Sequence, residues 1–248
     1  MNRRLRPQRR GPRLWIPIAA AASLTMALAA FVIWPWLRPA TGRLARLRLY
    51  WADPSSHAAW TVRAGERCGQ APFVIPTDGL IGFVWGDSFR PGHRHQGLDI
   101  FGPTGPDGLG ETPVVAAHDG YLTRLPEWRS AVILRLPRDP LDPSRQIWLY
   151  YAHMADADGR SFIAPDFPPG TREVFVRAGT LLGRQGNYSA DPDNPTGMHL
   201  HFSIVRDDGA GSFLSELEIA NTLDPSPYLG MVLNAAGVAA EPPTCPAP

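Results

Sequence analysis

The sequence predicts a mainly β domain behind an N-terminal transmembrane helix, and three observations lead to this fold class. First, its 248 residues include 27 Pro and 24 Gly with 44% hydrophobic residues, which suits a turn-rich β protein better than a helical bundle. Second, from Ala71 onwards short apolar runs are separated by Gly, Pro and Asp, the pattern of strands joined by turns. Third, a charge-free segment near the N-terminus is long enough to cross a bilayer. The length suits one ordinary domain with extensions.

The first two segments are predicted to be a basic cytoplasmic stretch (1–13) and a transmembrane anchor (14–37). Residues 1–13 hold six arginines and no acid, whereas residues 14–37 hold no charged side chain. As a helix the second segment would extend about 36 Å, enough to span a membrane. The A-x-A pattern at Ala27–Ala29 leaves a cleavable signal peptide as the alternative. An uncleaved anchor is favoured, because cleavage there would leave apolar residues 31–37 at the new terminus.

The rest of the chain divides into a juxtamembrane linker (38–70), a β-rich domain (71–230) and a Pro- and Ala-rich tail (231–248). Cys68 and Cys245 are too few for a disulfide scaffold, but outside the cytoplasm one bond between them would tie the domain's start to the tail. Ser215–Asn221 is predicted as a short helix. The predicted strands are Phe73–Ile75, Gly82–Trp85, Leu98–Phe101, Pro113–Ala117, Gly120–Leu125, Ala131–Leu136, Ile147–Ala152, Val174–Val176 and His199–Val205.

Two histidines in the apolar run from Gly197 to Ile204 are the first candidates for chemistry. His199 and His201 are spaced i, i+2, so on a strand they leave the same face while Met198, Leu200 and Phe202 face a core. Two imidazoles aimed at one space indicate a metal ligand, or one ligand beside one proton acceptor. A pair of histidines on a solvated strand face is the alternative that this stretch alone leaves open.

Two further motifs carry candidate ligands. His95 and Asp99 are spaced i, i+4 in a loop that leads into a strand, and an imidazole with a carboxylate suits zinc. His153 ends the apolar strand 147–152; taken alone, it reads more readily as a core histidine. His93 forms a second H-x-H with His95 and is a rival ligand, whereas His118 is expected at the surface.

Taken in order, these motifs resemble the M23 family of zinc metallopeptidases, the lysostaphin-like cell-wall endopeptidases. The resemblance covers about residues 73–229 and implies an antiparallel sheet domain of the lysostaphin-like (duplicated hybrid motif) type. It implies Zn²⁺ as cofactor, with His95, Asp99 and His201 as ligands. It implies that His153 and His199 handle protons. The sequence departs from the family pattern in the insertion Gly105–Glu111, in the long loop Gly186–Thr196 and at Ser203, where an acid is common.

The resemblance implies an endopeptidase acting on peptidoglycan stem or cross-bridge peptides, held at the cell membrane by a single span with its domain on the periplasmic or extracellular side. A non-catalytic wall-binding or regulatory module that activates another wall hydrolase is the main alternative. A metal carrier and a D-Ala-D-Ala carboxypeptidase fit the open three-ligand set and its spacing less well. A formal net charge of +1 gives no sign of nucleic acid binding, and a regulatory protein partner is left open.

Overall fold

The computed structural model describes residues 42–88, 92–238 and 241–246. Within these ranges no helix has both the length and the apolar character of a membrane span. The predicted basic segment (1–13) and anchor (14–37) lie outside the described residues.

Most of the described strands join one antiparallel sheet. The strands of this sheet are β1 Thr61–Val62, β2 Gly79–Phe83, β3 Leu98–Phe101, β5 Gly120–Thr123, β6 Val132–Leu136, β7 Ile147–Ala152, β8 Val174–Val176, β10 Leu200–Arg206 and β11 Thr222–Leu223. Their order is β1-β2-β3-β10-β7-β6-β5-β8, and β11 pairs with β10 beside this path. The strand β10 therefore lies between β3 and β7, in the middle of the sheet.

A smaller second sheet pairs β4 (Pro113–Val115) with β9 (Leu181–Arg184). Its side chains Val114 and Leu182 join the same buried cluster as Leu98, Leu149 and Phe202 of the large sheet. Burial of these apolar side chains between the sheets is the main force that holds the fold together. The predicted fold class, mainly antiparallel β, is therefore confirmed for the described residues.

Most predicted strands overlap observed ones, but Gly82–Trp85 shares only residues 82 and 83 with β2, and β1, β9 and β11 were not predicted. The bounds of β3, β7 and β8 are as predicted. Phe73–Ile75 is wrong as a strand: the amides of Phe73, Val74 and Ile75 donate to three separate carbonyls, so the segment is buried but joins no ladder. The strand β9 was not predicted, because its Leu-Leu-Gly-Arg sequence shows no alternation and few β-branched residues.

The helix α1 at 42–52 packs against the edge of the large sheet. Leu47 and Tyr50 are buried there with Leu80 and Phe101, and Trp51 lies against this cluster. Most of the segment predicted as a linker (38–70) is therefore folded onto the domain, and residues 42–248 form one compact unit. Tyr50 and Trp51 come three and four residues after Leu47, which is the spacing of one helical face.

The C-terminal part closes over the domain. The short helix α2 (Ser226–Leu229) buries Tyr228, whose hydroxyl donates to Asp139. Cys68 and Cys245 form a disulfide, as predicted, so the tail is fixed to the domain's start. The predicted helix Ser215–Asn221 is reduced to a 3₁₀ turn at Ile219–Asn221; similar turns lie at Ala58–Trp60 and Gly105–Gly108.

Candidate metal centre

Strand register brings the candidate residues together. His201 of β10 lies opposite Asp99 of β3 on one side and opposite Ala152 of β7 on the other. Because β7 ends at Ala152, the next residue, His153, emerges beside His201. Met198, Leu200 and Phe202 are buried on the opposite face, as the i, i+2 pattern predicted.

Two glycines allow this close approach. A Cβ on Gly97 would lie 2.2 Å from the carbonyl oxygen of Phe202, and one on Gly186 would lie 2.1 Å from that of Ala155. A side chain at position 97 would therefore push the start of β3 away from β10, and one at position 186 would push the 186–196 loop away from residues 153–155. The loop closes on the site from the other side, since the amide of His199 donates to the carbonyl of Gly186.

His95, Asp99 and His201 form a group that could hold a metal ion. His95 Nε2 lies 3.0 Å from Asp99 Oδ1 and 3.2 Å from His201 Nδ1, and His201 Nδ1 lies 2.9 Å from the same carboxylate oxygen. Tetrahedral zinc with ligand bonds of about 2.0–2.1 Å separates its ligand atoms by about 3.3 Å. The triangle of donor atoms therefore fits zinc after only a small adjustment.

Hydrogen bonds on the far side of each ring leave the ligand nitrogens available. A carbonyl oxygen can only accept, so His95 donates from Nδ1 to Val84, 3.1 Å away, and keeps the lone pair on Nε2. His201 Nε2 lies 2.8 Å from the buried hydroxyl of Ser203, which can accept its proton and leave the Nδ1 lone pair free. Partners of this kind fix the orientation of metal-binding histidines. Ser203, which stands where an acid is common, can therefore accept a hydrogen bond from His201 through its hydroxyl.

His153 and His199 line the same groove as the three candidate ligands. His153 donates from Nδ1 to the carbonyl of Tyr188 at 2.6 Å, and His199 donates from Nδ1 to that of Gly197 at 2.6 Å. The two rings are 4.5 Å apart between centroids, and His199 Nε2 lies 3.4 Å from Asp99 Oδ1. His153 has a φ of 69°, a conformation that costs a non-glycine residue energy and is concentrated at functional sites.

Burial and mutual charge shift the pKa of each group. Burial would raise the pKa of Asp99, but attraction to His95 and His199, with the hydrogen bonds that the imidazolium forms of His199 and His201 would donate to it, holds this pKa well below its ordinary value. Burial opposes protonation of His95, yet Asp99 outweighs it and raises that pKa. Burial lowers the pKa of His201, and burial with repulsion from His199 and His201 lowers that of His153 to about 3. His153 is therefore a neutral imidazole at ordinary pH.

An open groove of about 430 Å³ contains this group. Its walls include Tyr150, one of two tyrosines near His153 whose residue type can hold or cover a substrate, and Glu216, which no sequence motif marked. Burial, followed by the charge of Glu216, raises the pKa of Tyr150, and burial raises the pKa of Glu216 itself. Tyr151, the other of these tyrosines, is instead fully buried, and its hydroxyl accepts from the amide of Ala117.

The other residues singled out from the sequence lie around the group or away from it. His93 lines the groove but is not part of the three-residue cluster. Asp87 and Arg90 precede the His95 motif, which left both a place in the cleft and a solvated loop open for them; Asp87 is buried and forms an ion pair with Arg43 of α1. Arg90 lies outside the described residues. The ring of His118 lies against that of Phe73, and the ring of His57 lies against Trp60.

The chain is similar to solved structures of M23 and lytM type. Helicobacter pylori Csd3 is 20% identical with a TM-score of 0.39, and the match covers 63% of this chain and 34% of that one. A putative glycyl-glycine endopeptidase lytM from Ruminococcus gnavus is 22% identical with a TM-score of 0.35, and the match covers 53% of this chain and 44% of that one. A putative peptidase M23 from Pseudomonas aeruginosa is 21% identical with a TM-score of 0.37, and the match covers 76% of this chain and 62% of that one. The chain thus spans about a third of Csd3. No protein-family model and no curated protein matches the sequence. The chemistry assigned to the site therefore rests on its own residues and distances.

Proposed function

We propose that this protein is a zinc metallopeptidase that hydrolyses peptide bonds in peptidoglycan. The observation that carries the proposal is the convergence of His95 Nε2, Asp99 Oδ1 and His201 Nδ1 within 3.2 Å of one another at the floor of an open groove. Three protein ligands with an open side are the mark of a catalytic zinc site, whereas structural sites are closed by four.

The roles of the residues follow from their hydrogen bonds. When bound, zinc would polarise the scissile carbonyl and make the attacking water more acidic. His153 is held by Tyr188 with Nε2 towards the shared space, so it can accept the proton of that water and pass it to the leaving amine. His199 Nε2 faces Asp99 and the same space, where the neutral ring can accept from the water and orient it, and the imidazolium can donate to the developing oxyanion. Groups of this kind contribute about 10²–10⁴-fold in rate.

The substrate class comes from the motif resemblance and the predicted topology. A groove open on one side suits an extended peptide better than a small molecule, because a chain can enter and leave it sideways. The predicted anchor would hold the domain on the periplasmic or extracellular side of the membrane, where peptidoglycan stem and cross-bridge peptides lie. A regulatory protein partner fits the same location.

The test is digestion of purified peptidoglycan by the full-length protein with zinc, followed by mass spectrometry of the released muropeptides. We expect His201→Ala to lose stoichiometric zinc and all hydrolysis. His153→Ala and His199→Ala should keep zinc and fold but lose most hydrolysis. Release of no new amino terminus by the zinc-loaded parent would refute the enzyme and favour the non-catalytic wall-binding or regulatory module. Zinc loss in His153→Ala or His199→Ala as large as in His201→Ala would make that residue a ligand.

A further inference from the structure

The helix α1 contacts the scaffold of the metal centre at both of its ends. Arg43, Leu47, Tyr50 and Trp51 are spaced i, i+4, i+7 and i+8, so they share one face of the helix. Leu47 and Tyr50, in the middle of this face, are 4% and 1% exposed and fix the helix to the sheet. Arg43 and Trp51 lie on either side of this anchor, about 12 Å apart along the axis.

At the first end, Arg43 forms an ion pair with Asp87, a carboxylate that is only 6% exposed. Asp87 Oδ2 also accepts from the amide of Val84 at 2.9 Å, so the side chain closes the turn 84–87. This turn is bonded to the ligand His95 at three points. The amide of His95 donates to the carbonyl of Asp87 at 2.7 Å, the amide of Gly86 donates to the carbonyl of His95 at 2.8 Å, and His95 Nδ1 donates to the carbonyl of Val84.

At the other end, Trp51 reaches the second half of the site. Its Nε1 donates to the carbonyl of Gly102 at 3.1 Å, and its ring meets the edge of Phe101 at 5.6 Å between centroids. Phe101 in turn stacks on the ring of His199, 5.0 Å away and inclined by 26°. The same helix therefore supports a ligand through Asp87 and a proposed proton-handling residue through Phe101.

We propose that α1 is part of the metal centre's support and that Arg43 is a positioning residue, which holds the ligand His95 through its ion pair with Asp87. The role of His95 as a ligand is taken from the proposed function. Removing Arg43 leaves a buried carboxylate without its cation. Such a group must take up a proton or draw in water, and either change loosens the hydrogen bonds around it. The turn that aims His95 Nε2 then loses its fixed geometry, although the sheet and core are unchanged.

The experiment compares Arg43→Gln, Asp87→Asn and the double variant with the full-length parent. Two readouts are used: zinc affinity by competition with a chelator, and hydrogen exchange of the Gly86 and His95 amides in metal-free protein. The matched control is Arg48→Gln, which removes an exposed arginine from the same helix. Arg43→Lys serves as the conservative variant, because it keeps the charge but not the planar fork.

We expect each single variant to lower zinc affinity by about tenfold and to speed exchange of the His95 amide. The double variant should lose no more than either single one, since both remove the same pair. Arg48→Gln should match the parent within twofold, and Arg43→Lys should retain more affinity than Arg43→Gln. Parent-like affinity and exchange in both single variants would overturn the proposal. A parent that binds no zinc would refute the proposed function instead, and exchange of the His95 amide would then decide the role of Arg43 alone.

Discussion

The hydroxyl of Ser203 should set how tightly the centre holds its metal. Ser203 is fully buried, and its Oγ lies 2.8 Å from Nε2 of His201, a proposed zinc ligand. In Ser203→Ala this ring nitrogen loses its partner, so the imidazole is free to rotate or to exchange the proton between its two nitrogens. Leaving one such buried donor unpaired costs about 1–3 kcal/mol. Loss of a hydrogen bond to a ligand histidine lowers metal affinity by about 10–100-fold, or about 1.4–2.8 kcal/mol. The two free-energy ranges overlap, so we expect zinc affinity to fall by about 10–100-fold in this variant.

The assay is competition for zinc between metal-free protein and a chromophoric chelator at neutral pH. Ser130→Ala is the matched control, because Ser130 lines the same groove while its hydroxyl makes no hydrogen bond to a histidine in the described part of the chain. Thermal unfolding of the metal-free variants checks that the fold is intact. Zinc affinity of Ser203→Ala within twofold of the parent would show that this hydrogen bond does not orient His201.

Three further results are expected. Because Asp99 raises the pKa of His95 in the metal-free protein, and a ligand imidazole must be neutral, zinc affinity should fall as pH drops through that raised pKa; a flat profile from pH 8 to 5 would contradict this. Replacing Cys68 and Cys245 with Ala opens a bond that spans 177 residues and should lower the free energy of unfolding by up to about 5 kcal/mol; an unchanged denaturant midpoint would exclude a stabilising role. Because Glu216 lines the groove and can pair with a cation when ionised, Glu216→Gln should lower kcat/KM about two- to fivefold for peptides with a free amine near the cleaved bond, and leave their acetylated forms unaffected; equal losses on both would exclude recognition of that amine.

The sequence predicted those parts of the site that depend on residue types close together along the chain. The i, i+2 spacing of His199 and His201 placed both on one face of a strand, and burial of Leu200 confirms the opposite face. Local patterns alone left His153 as a core histidine and His93 as a rival ligand. The grouping of His95 with His201, which are 106 residues apart, depends on the pairing of β3 with β10. It was reached through the ordered motifs of a known family, since no local pattern specifies it.

Other parts of the site leave little trace in a single sequence. Tyr188 holds His153 through its backbone carbonyl, a group that every residue carries, so residue type cannot mark this contact. The pattern Leu47, Tyr50 and Trp51 does indicate one apolar helical face, but the surface that receives it, Phe101 and Leu80, is created only when β2 and β3 pair. Asp87 stood out as a polar residue before the first motif, yet its burial and its ion pair with Arg43 depend on how α1 docks.

The hydrogen bonds of the four histidines favour a metal over a shared proton as the cation at the centre. Each ring has one nitrogen bonded outwards, to a backbone carbonyl or to the Ser203 hydroxyl, so the other nitrogen of each ring faces a common space beside Asp99. A proton in that space can be shared by only two acceptor atoms. The remaining lone pairs would then repel one another in a buried site. Burial also lowers the pKa of His153 and of His201, so protonation of these two rings is disfavoured. A metal ion accepts several lone pairs at once and requires neutral imidazoles. The same features that resist protonation therefore prepare this group to bind a metal.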